Sequence, residues 1–272
     1  MGFMRYQQIG IEARGRRREM PPGLTSTVRS TLISGEAGSG FIEIINPSSD
    51  SVSLLRELGA VVDVVAGYLR DGPVPATILR GAVVRGSVED RFHGPNRVVS
   101  CHVVPGDVRA GPVAPKAWSR VTAREAIRHV VDSAGIELGS PIPGPGREYR
   151  EGFVVGGPAL KSIATLARDS GWRWATTHGA LRLWPDDSSL LLVPDVRPDT
   201  GLIETPVLVD DGSIRFRCQL RPDIVPGVSL VIESSVLSEG RAQVVISAVD
   251  IEATSTDGPF ETVAEGEILA TQ

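Results

Sequence analysis

The sequence predicts an α+β protein that is mainly β, in which a small unit of two helices and a β-hairpin lies between two β regions. Three observations predict this class. Glycine and proline are plentiful, at 30 and 20 of 272 residues, and aromatic residues make up only 5%, which is typical of short strands joined by many turns. Apolar residues alternate over short segments in both outer regions. The two longer helical patterns lie between them.

We therefore expect three parts, namely residues 1–110, 111–190 and 191–272. A chain of this length can bury several cores. In this prediction, a strand from one outer part can belong to the β module of the other.

The first part contains a basic cluster, Arg14 to Arg18, which we interpret as a solvated strand end or loop rather than a phosphate or partner patch. A short helix is expected at 50–58, capped by Ser49 or Asp50 and stopped by Gly59. Its buried side is expected to be Val52, Leu54, Leu55 and Leu58. Strands are predicted at 41–45, 61–66, 76–84 and 97–104.

In the central part, the capping box Thr122-Ala123-Arg124-Glu125 begins a helix that Gly135 ends. The segment 139–146 is rich in glycine and proline and must be a loop. A second helix opens at Pro158 and ends at Gly171. The apolar stripes of the two helices are Ala126, Ile127, Val130, Val131 and Ala134, and Leu160, Ile163, Ala164 and Ala167.

A hairpin follows the second helix, with strands at 172–177 and 180–184 and the turn His178-Gly179 between them. Counting outward from the turn gives the register. The predicted pairs are Thr176 with Leu181, Trp174 with Leu183, and Arg173 with Trp184. The last pair would allow the guanidinium of Arg173 to lie on the indole of Trp184.

The last part returns to strands, predicted at 202–209, 214–220, 228–233 and 242–249. Between the first two, Asp210-Asp211-Gly212 favours a turn over a calcium loop, because the later ligands of a calcium loop are missing. The order of features repeats that of the first part, where a strand ends at Asn46-Pro47 as another does at Arg221-Pro222. We interpret this as a weak internal repeat of a β module, differing by the helix at 50–58.

We assign no residue a catalytic, cofactor-binding or metal-binding role. The sequence lacks the common nucleophile and metal motifs, and the glycine-rich stretch 35–40 lacks the Lys-Ser/Thr of a phosphate loop. Cys101 and Cys218 lie in alternating strand patterns, which favours buried free thiols. A catalytic cysteine beside His102 is disfavoured, because consecutive strand residues point to opposite faces. The histidines are scattered, at His93, His102, His129 and His178. We expect no enzyme activity, cofactor or metal.

The net charge of −5 argues against general affinity for nucleic acid or anionic membrane. The longest apolar run, Gly59 to Gly67, is interrupted by Asp63 and is too short to span a bilayer. Residues 1–10 lack the apolar core of a signal peptide. We expect a soluble protein made inside the cell, with no membrane partner and no sequence-specific nucleic-acid binding.

The order and spacing of several motifs resemble the baseplate hub proteins of long-tailed, especially contractile-tailed, bacteriophages. The resemblance runs from about Phe41 onward, and the first forty residues match less clearly. The motifs that carry it are Ile44-Ile45-Asn46-Pro47-Ser48, the strand from Gly59 that ends Ala66-Gly67-Tyr68, Gly171-Trp172-Arg173-Trp174, His178 to Leu183, Gly201 to Pro206, Leu220 to Gly227, and Phe260 to Gly266.

This resemblance implies a homotrimeric structural protein of the virion whose chain carries two β-barrels similar to the tail-tube protein, one on each side of the α/β unit. Three chains would then present six similar modules in a ring, matching the sixfold tail tube on one side and the threefold central spike on the other. It further implies tail-tube, central-spike and baseplate-wedge partners and a channel for DNA. The virion, or a contractile injection system, would be assembled in the bacterial host cytoplasm.

Two alternatives stay open at this point. One is another tail component, such as a tube terminator or a spike-associated protein. The other is a cell-wall carbohydrate-binding or carbohydrate-degrading tail protein that uses Trp172, Trp174 and Trp184 as a sugar platform, although the hairpin register puts Trp174 and Trp184 on opposite faces. Because DNA must pass a hub without being held, we also expect the charges facing the ring's interior to be net acidic or neutral.

Overall fold

The computed structural model describes residues 4–21, 23–70, 72–105, 112–210, 212–235, 237 and 240–269. Within them the chain is mostly strand, with three α-helices, so the predicted mainly β class is confirmed. The boundary expected between residues 110 and 111 lies outside the described residues, as does Asp211 of the predicted turn.

The strands of the first part alternate with a single helix, α1. They are β1 (Arg5–Ala13), β2 (Arg16–Glu19), β3 (Ser26–Ile33), β4 (Ser39–Ile45), α1 (Ser49–Arg56), β5 (Val61–Tyr68), β6 (Ala76–Val83), β7 (Glu89–His93) and β8 (Asn96–Pro105). The basic cluster at 14–18 forms the turn between β1 and β2 and most of β2, and all four residues of β2 are exposed.

The central part is the α/β unit. Its elements are β9 (Val113–Trp118), β10 (Val121–Thr122), α2 (Ala123–Ala134), β11 (Glu137–Leu138), β12 (Glu148–Tyr149), β13 (Phe153–Gly157), α3 (Ala159–Asp169), β14 (Trp172–Thr177) and β15 (Ala180–Pro185).

The last part is again made of strands, preceded by a short 3-10 turn at Pro198–Thr200. The strands are β16 (Val207–Leu208), β17 (Ser213–Gln219), β18 (Ser229–Glu233), β19 (Arg241–Thr254) and β20 (Phe260–Ile268). In β20 every second residue from Phe260 to Gly266 is buried, which is the pattern of a strand with one face on a core.

The strands of the first and last parts belong to one continuous antiparallel sheet. Its order is β16-β17-β20-β19-β3-β4-β8-β6-β5-β1-β2, with β18 also beside β19 and β7 also beside β8. The two parts meet where β3 pairs with the second half of β19 in seven registered positions, from Ile33–Ala248 to Thr27–Thr254. We call this pairing the β3–β19 junction.

The two parts of the sheet have the same strand order. It is β3-β4-β8-β6-β5 in the first and β16-β17-β20-β19-β18 in the last, and every neighbouring pair is antiparallel in both. The long β19 corresponds to β6 followed by β7, because β6 and β7 both pair with β8. This correspondence agrees with the internal repeat that the sequence indicates, with α1 as an addition to the first copy.

The buried apolar residues form two hydrophobic cores. One runs under the large sheet and α1 and includes residues from Ile9 to Ala264. The other lies within the α/β unit and includes residues from Val113 to Leu183, contributed mainly by α2, α3 and the hairpin β14–β15. The α/β unit therefore packs around residues of its own.

The helix signals of the α/β unit are confirmed. The Thr122 hydroxyl accepts a hydrogen bond from the Glu125 N–H at 3.3 Å, and the Glu125 carboxylate accepts one from the Thr122 N–H at 2.9 Å. Gly135 caps α2 in the left-handed region, with φ 70°. Pro158 differs slightly from expectation, since it is the N-cap of α3 and not its first helical residue.

The predicted hairpin register is confirmed. Thr176 pairs with Leu181, Trp174 with Leu183, and Arg173 with Trp184. His178 and Gly179 have φ of 52° and 90°, which is the left-handed geometry that a two-residue hairpin turn of type I′ requires.

Three expectations are wrong in detail, one about the strand at 202–209 and two about α1. The strand predicted at 202–209 shrinks to a bridge between Leu202 and Cys218 followed by β16, because Pro206 has no N–H to offer the ladder. In the first part, Ser48 caps α1 by accepting a hydrogen bond from Ser51, where Ser49 or Asp50 was expected.

The same helix is also shorter than predicted. It ends at Arg56, and the 73% exposed Leu58 is therefore not part of its buried side. Val52, Leu54 and Leu55 are buried as expected.

Candidate interaction surfaces

The large sheet has a polar face that runs without a break across the β3–β19 junction. Directly paired residues of antiparallel strands share one side of the sheet, so the registers define rows of neighbours on this face. One row is Gln219–Glu261–Glu252–Arg29–Phe41–His102, and the next is Arg217–Val263–Asp250–Thr31–Ser39. We call this side the polar face.

Carboxylates outnumber guanidinium groups on the polar face around the junction. The carboxylates are those of Glu43, Asp250, Glu252, Glu261 and Glu265, and the guanidinium groups are those of Arg29, Arg215 and Arg217. An acidic surface of this kind repels a phosphate backbone.

The opposite side of the junction is apolar and buried. Val28 and Leu32 of β3 are 0% exposed, and Ile251 of β19 is 1% exposed. On the polar side, Arg29 donates to Glu252 at 2.9 Å and Thr31 to Asp250 at 2.7 Å. Burial of apolar side chains is therefore the main stabilising contribution, because exposed ion pairs contribute little.

Two edges of the sheet are open and carry exposed apolar side chains. Among the described residues β16 pairs only with β17, and β7 pairs only with β8. Leu208 faces the core side, opposite the fully buried Ile214, yet it is 58% exposed. Phe92 lies on the same side of β7 as Asp90, whose ladder partner Val99 is buried, and is 76% exposed. We call these the β16 edge (residues 203–208) and the β7 edge (Glu89–His93).

The α/β unit is anchored to the large sheet at the tip of the β3–β4 hairpin and beside β18. Gly35 donates to the Trp174 carbonyl at 2.6 Å. Arg173 forms ion pairs with Glu267, at 2.6 Å, and with Asp186. Hydrogen bonding to Glu267, more than to Asp186, raises the pKa of Arg173 above its usual range. The guanidinium predicted to lie on Trp184 is therefore held by two carboxylates.

The second anchor is a close approach of Trp184 to Gly227. A Cβ at Gly227 would lie 2.9 Å from the indole and 2.8 Å from Leu190, and the backbone there has φ 90°. Only glycine fits this position without a shift.

The hairpin tip lines a cavity to which all three parts of the chain contribute residues. The cavity, of about 540 Å³, is lined by His178 and by residues of the first and last parts, among them Thr77, Pro194 and Asp223. Neither ring nitrogen of His178 is exposed or makes a hydrogen bond of good geometry. Burial, and then the positive charge of Arg182, lower the pKa of His178 to about 4. The imidazole is therefore neutral near pH 7.

The residues that could carry chemistry are not brought together. Cys101 and Cys218 are buried and free, and burial raises the pKa of each thiol to about 12. His102 points away from Cys101 and stacks obliquely on Phe41, with ring centroids 5.3 Å apart. His129 contacts the Ala114 carbonyl at 3.0 Å. Within the described ranges, no group of three or more His, Cys, Asp or Glu residues is placed to hold a metal ion.

The three tryptophans considered as a sugar platform are buried. Trp172 and Trp174 belong to the core of the α/β unit, and Trp184 is 2% exposed against Gly227. Trp174 and Trp184 lie on opposite faces of the hairpin, as the register predicts. These rings are therefore not available to a sugar. No helix in the described part of the chain is long and apolar enough to cross a bilayer.

The sequence reasoning missed the two open edges. Phe92 stands alone among charged residues in Glu89-Asp90-Arg91-Phe92-His93, and an aromatic residue in such a run is the signal that could have found the β7 edge. Leu208 was predicted as part of a strand, but no local pattern indicates that the neighbouring strand is missing.

No protein-family model and no curated protein matches the sequence. Solved structures do match over nearly the whole chain. The prophage MuSo2 43 kDa tail protein from Shewanella oneidensis matches with a TM-score of 0.63 and 11% identity over 96% of both chains. The tail protein from Neisseria meningitidis MC58 matches with a TM-score of 0.61 and 10% identity over 97% of both chains.

A third neighbour is the E. coli c3393 protein, a component of the type VI secretion system described as similar to the T4 tail proteins gp27 and gp5. It has a TM-score of 0.65 and 11% identity, over 96% of this chain and 77% of that one. A chain of the Francisella PdpA–VgrG complex matches with a TM-score of 0.53 and 7% identity, over 97% of this chain and 58% of that one. The structural neighbours are thus phage tail and baseplate-type proteins, and the predicted resemblance is confirmed at the level of the fold.

Proposed function

We propose that this chain is a structural tail protein that assembles as a trimeric baseplate hub and joins a sixfold tail tube to a threefold central spike. The observation that carries the proposal is the repeated strand order of the sheet, β3-β4-β8-β6-β5 and β16-β17-β20-β19-β18. A chain with one module twice lets three subunits present six similar surfaces, which resolves the mismatch between the two symmetries. The likeness of the fold to phage tail proteins supports the same conclusion.

In this proposal, residues 1–110 and 191–272 each form a tube-like β-barrel module, and residues 111–190 form the α/β unit at the periphery or the spike-facing end. The partners are the tail-tube protein, the central spike and the baseplate wedge. The location is the tail of a phage or a related contractile injection system, assembled in the host cytoplasm. Membership of one neighbour in a type VI secretion system, and of another in a complex with VgrG, favours this setting.

The polar face lines the channel in this proposal. Its carboxylates outnumber its guanidinium groups around the β3–β19 junction, so DNA passes without being retained. The role is structural and not catalytic, and it needs neither a cofactor nor sequence-specific contacts to DNA.

Mass and symmetry test the proposal. The chain has a mass of 28.9 kDa, and light scattering after size exclusion is expected to give three times that mass, with threefold rings around an open channel in electron microscopy. A peptidoglycan hydrolysis assay on the same sample addresses the carbohydrate alternative. A monomer with lytic activity would overturn the hub, and a closed assembly without a channel would favour a spike-associated protein.

A further inference from the structure

The repeated strand order also indicates which edges join neighbouring subunits. In the β3–β19 junction, the second half of β19 has β20 on one side and β3 on the other. Its counterpart in the first part is β7, which in the described residues has only β8. The counterpart of β3 is β16, which has only β17. Within the chain, β3 and the second half of β19 therefore cover each other's edges, whereas their counterparts β16 and β7 are each left with an open edge.

We propose that the β7 edge of one subunit pairs, antiparallel, with the β16 edge of the next, reproducing between chains the contact that the β3–β19 junction makes within the chain. The inference rests on the proposed function, because it specifies how the hub closes. Contacts of this head-to-tail kind form a ring when the rotation closes. The occupant of each open edge is then a second copy of this chain.

The exposure of the apolar residues at these edges supports the pairing. In the junction, the core-side residues Leu32 and Ile251 are 0% and 1% exposed, because each strand covers the other. At the open edges the core-side residues Leu208 and Phe92 are 58% and 76% exposed, although they occupy corresponding strands. On the polar side of the same edge, Val207, which pairs with Arg215, is 62% exposed. A subunit pairing β7 with β16 would cover these side chains.

In the described part of the chain, the end of the sheet at β2 has no exposed apolar side chain. Among the described residues β2 pairs only with β1, and its four residues, Arg16–Glu19, are all charged and exposed. Charged side chains are the usual protection of a strand that stays unpaired. β16 itself has only Val207 and Leu208, and on the core side of the β7 edge Asp90 is followed by the exposed Phe92.

Cysteine cross-linking tests the pairing directly. Arg91 and His93 lie on the polar side of β7, and Val207 lies on the polar side of β16. We expect the double variants Arg91→Cys/Val207→Cys or His93→Cys/Val207→Cys to form covalent dimers and trimers on mild oxidation, while each single variant forms none. Arg17→Cys/Val207→Cys is the matched control, since it places one cysteine on the β2 end. The native Cys101 and Cys218 are buried and give little background.

A second measurement needs no cysteine. Leu208→Lys and Phe92→Asp are each expected to weaken the trimer at least tenfold in light scattering over a dilution series, because each places a charge where an apolar side chain is covered. Val154→Lys on β13 is the matched control, since Val154 is 69% exposed and belongs to the separate two-stranded sheet β13–β9 of the α/β unit. It should leave the trimer unchanged, and circular dichroism confirms that all three variants fold.

The outcomes separate the two proposals. A trimer that cross-links through 91 or 93 with 207, and not through 17 with 207, supports the pairing. A trimer that does not cross-link through these edges and tolerates Leu208→Lys overturns the pairing and leaves the trimeric hub standing. Cross-linking through 17 with 207 also overturns the pairing. A chain that stays monomeric at every concentration overturns the pairing and the trimeric hub together.

Discussion

Mild acid is expected to destabilise the protein through His178. Burial holds the pKa of this imidazole at about 4 in the folded chain, compared with about 6.5 when unfolded. Because folding lowers the pKa of a base, the unfolded state takes up the proton first. Stability is therefore complete above about pH 6.5 and is lost as the pH falls towards about 4. The linkage between proton binding and folding lowers the free energy of unfolding by about 2 kcal/mol between pH 7 and pH 5. The total loss levels off at about 3 kcal/mol below pH 4.

The matched variant is His178→Asn. Asparagine followed by glycine suits the left-handed turn at 178 and 179 and has no group that titrates in this range. Urea unfolding of both proteins at about pH 7 and about pH 5 gives four free energies of unfolding, and the wild type is expected to lose about 2 kcal/mol more than the variant. Comparing the pH dependence cancels any direct effect of the substitution. Equal losses would show that the imidazole titrates normally and that its two ring nitrogens are not buried.

Three further measurements test the packing. Gly227→Ala is expected to lower the free energy of unfolding in urea by about 2–4 kcal/mol, because the new Cβ clashes and the backbone is left-handed. Gly59→Ala should lower it by only about 1–2 kcal/mol, because the left-handed backbone is the only cause there. Similar losses for the two variants would contradict the close approach at Gly227. Thr122→Ala should cost about 1 kcal/mol by removing the cap of α2, and full stability would show that the capping box is not formed. A double-mutant cycle on Arg29 and Glu252 should give a coupling below about 1 kcal/mol. A larger coupling would mean that this ion pair, and not apolar burial, holds the junction.

The sequence predicts best what depends on neighbouring residues. The hairpin register follows from the position of His178-Gly179, and the start of α2 follows from the spacing of Thr122 and Glu125, so both are confirmed in the structure. The predicted strand at 202–209 is too long because the pattern of apolar residues continues through Pro206, whereas the observed strand β16 begins after it. A single missing N–H outweighs an otherwise suitable pattern.

The β3–β19 junction could not be predicted in the same way. Alternation shows that a strand has one buried face, but it does not show which other strand lies beside it. The same limit applies to the candidate surfaces, since Leu208 has the pattern of a core residue and only the absence of a neighbouring strand exposes it. The order of features in the internal repeat did indicate which strands correspond. Only the strand pairings in the structure identify which of the corresponding strands have an open edge.

The β3–β19 junction also constrains when the chain can finish folding. Arg29 and its partner Glu252 are 223 positions apart in sequence, so at ordinary elongation rates the ribosome delivers the second strand roughly 10 to 45 s after the first. Throughout that interval, the native partner of β3 on the side away from β4 has not yet been synthesised. An unsatisfied strand of this kind readily recruits the same segment from a neighbouring nascent chain. Yield during synthesis should therefore depend on how crowded the polysome is, and chaperones that cover Ser26–Ile33 should raise it.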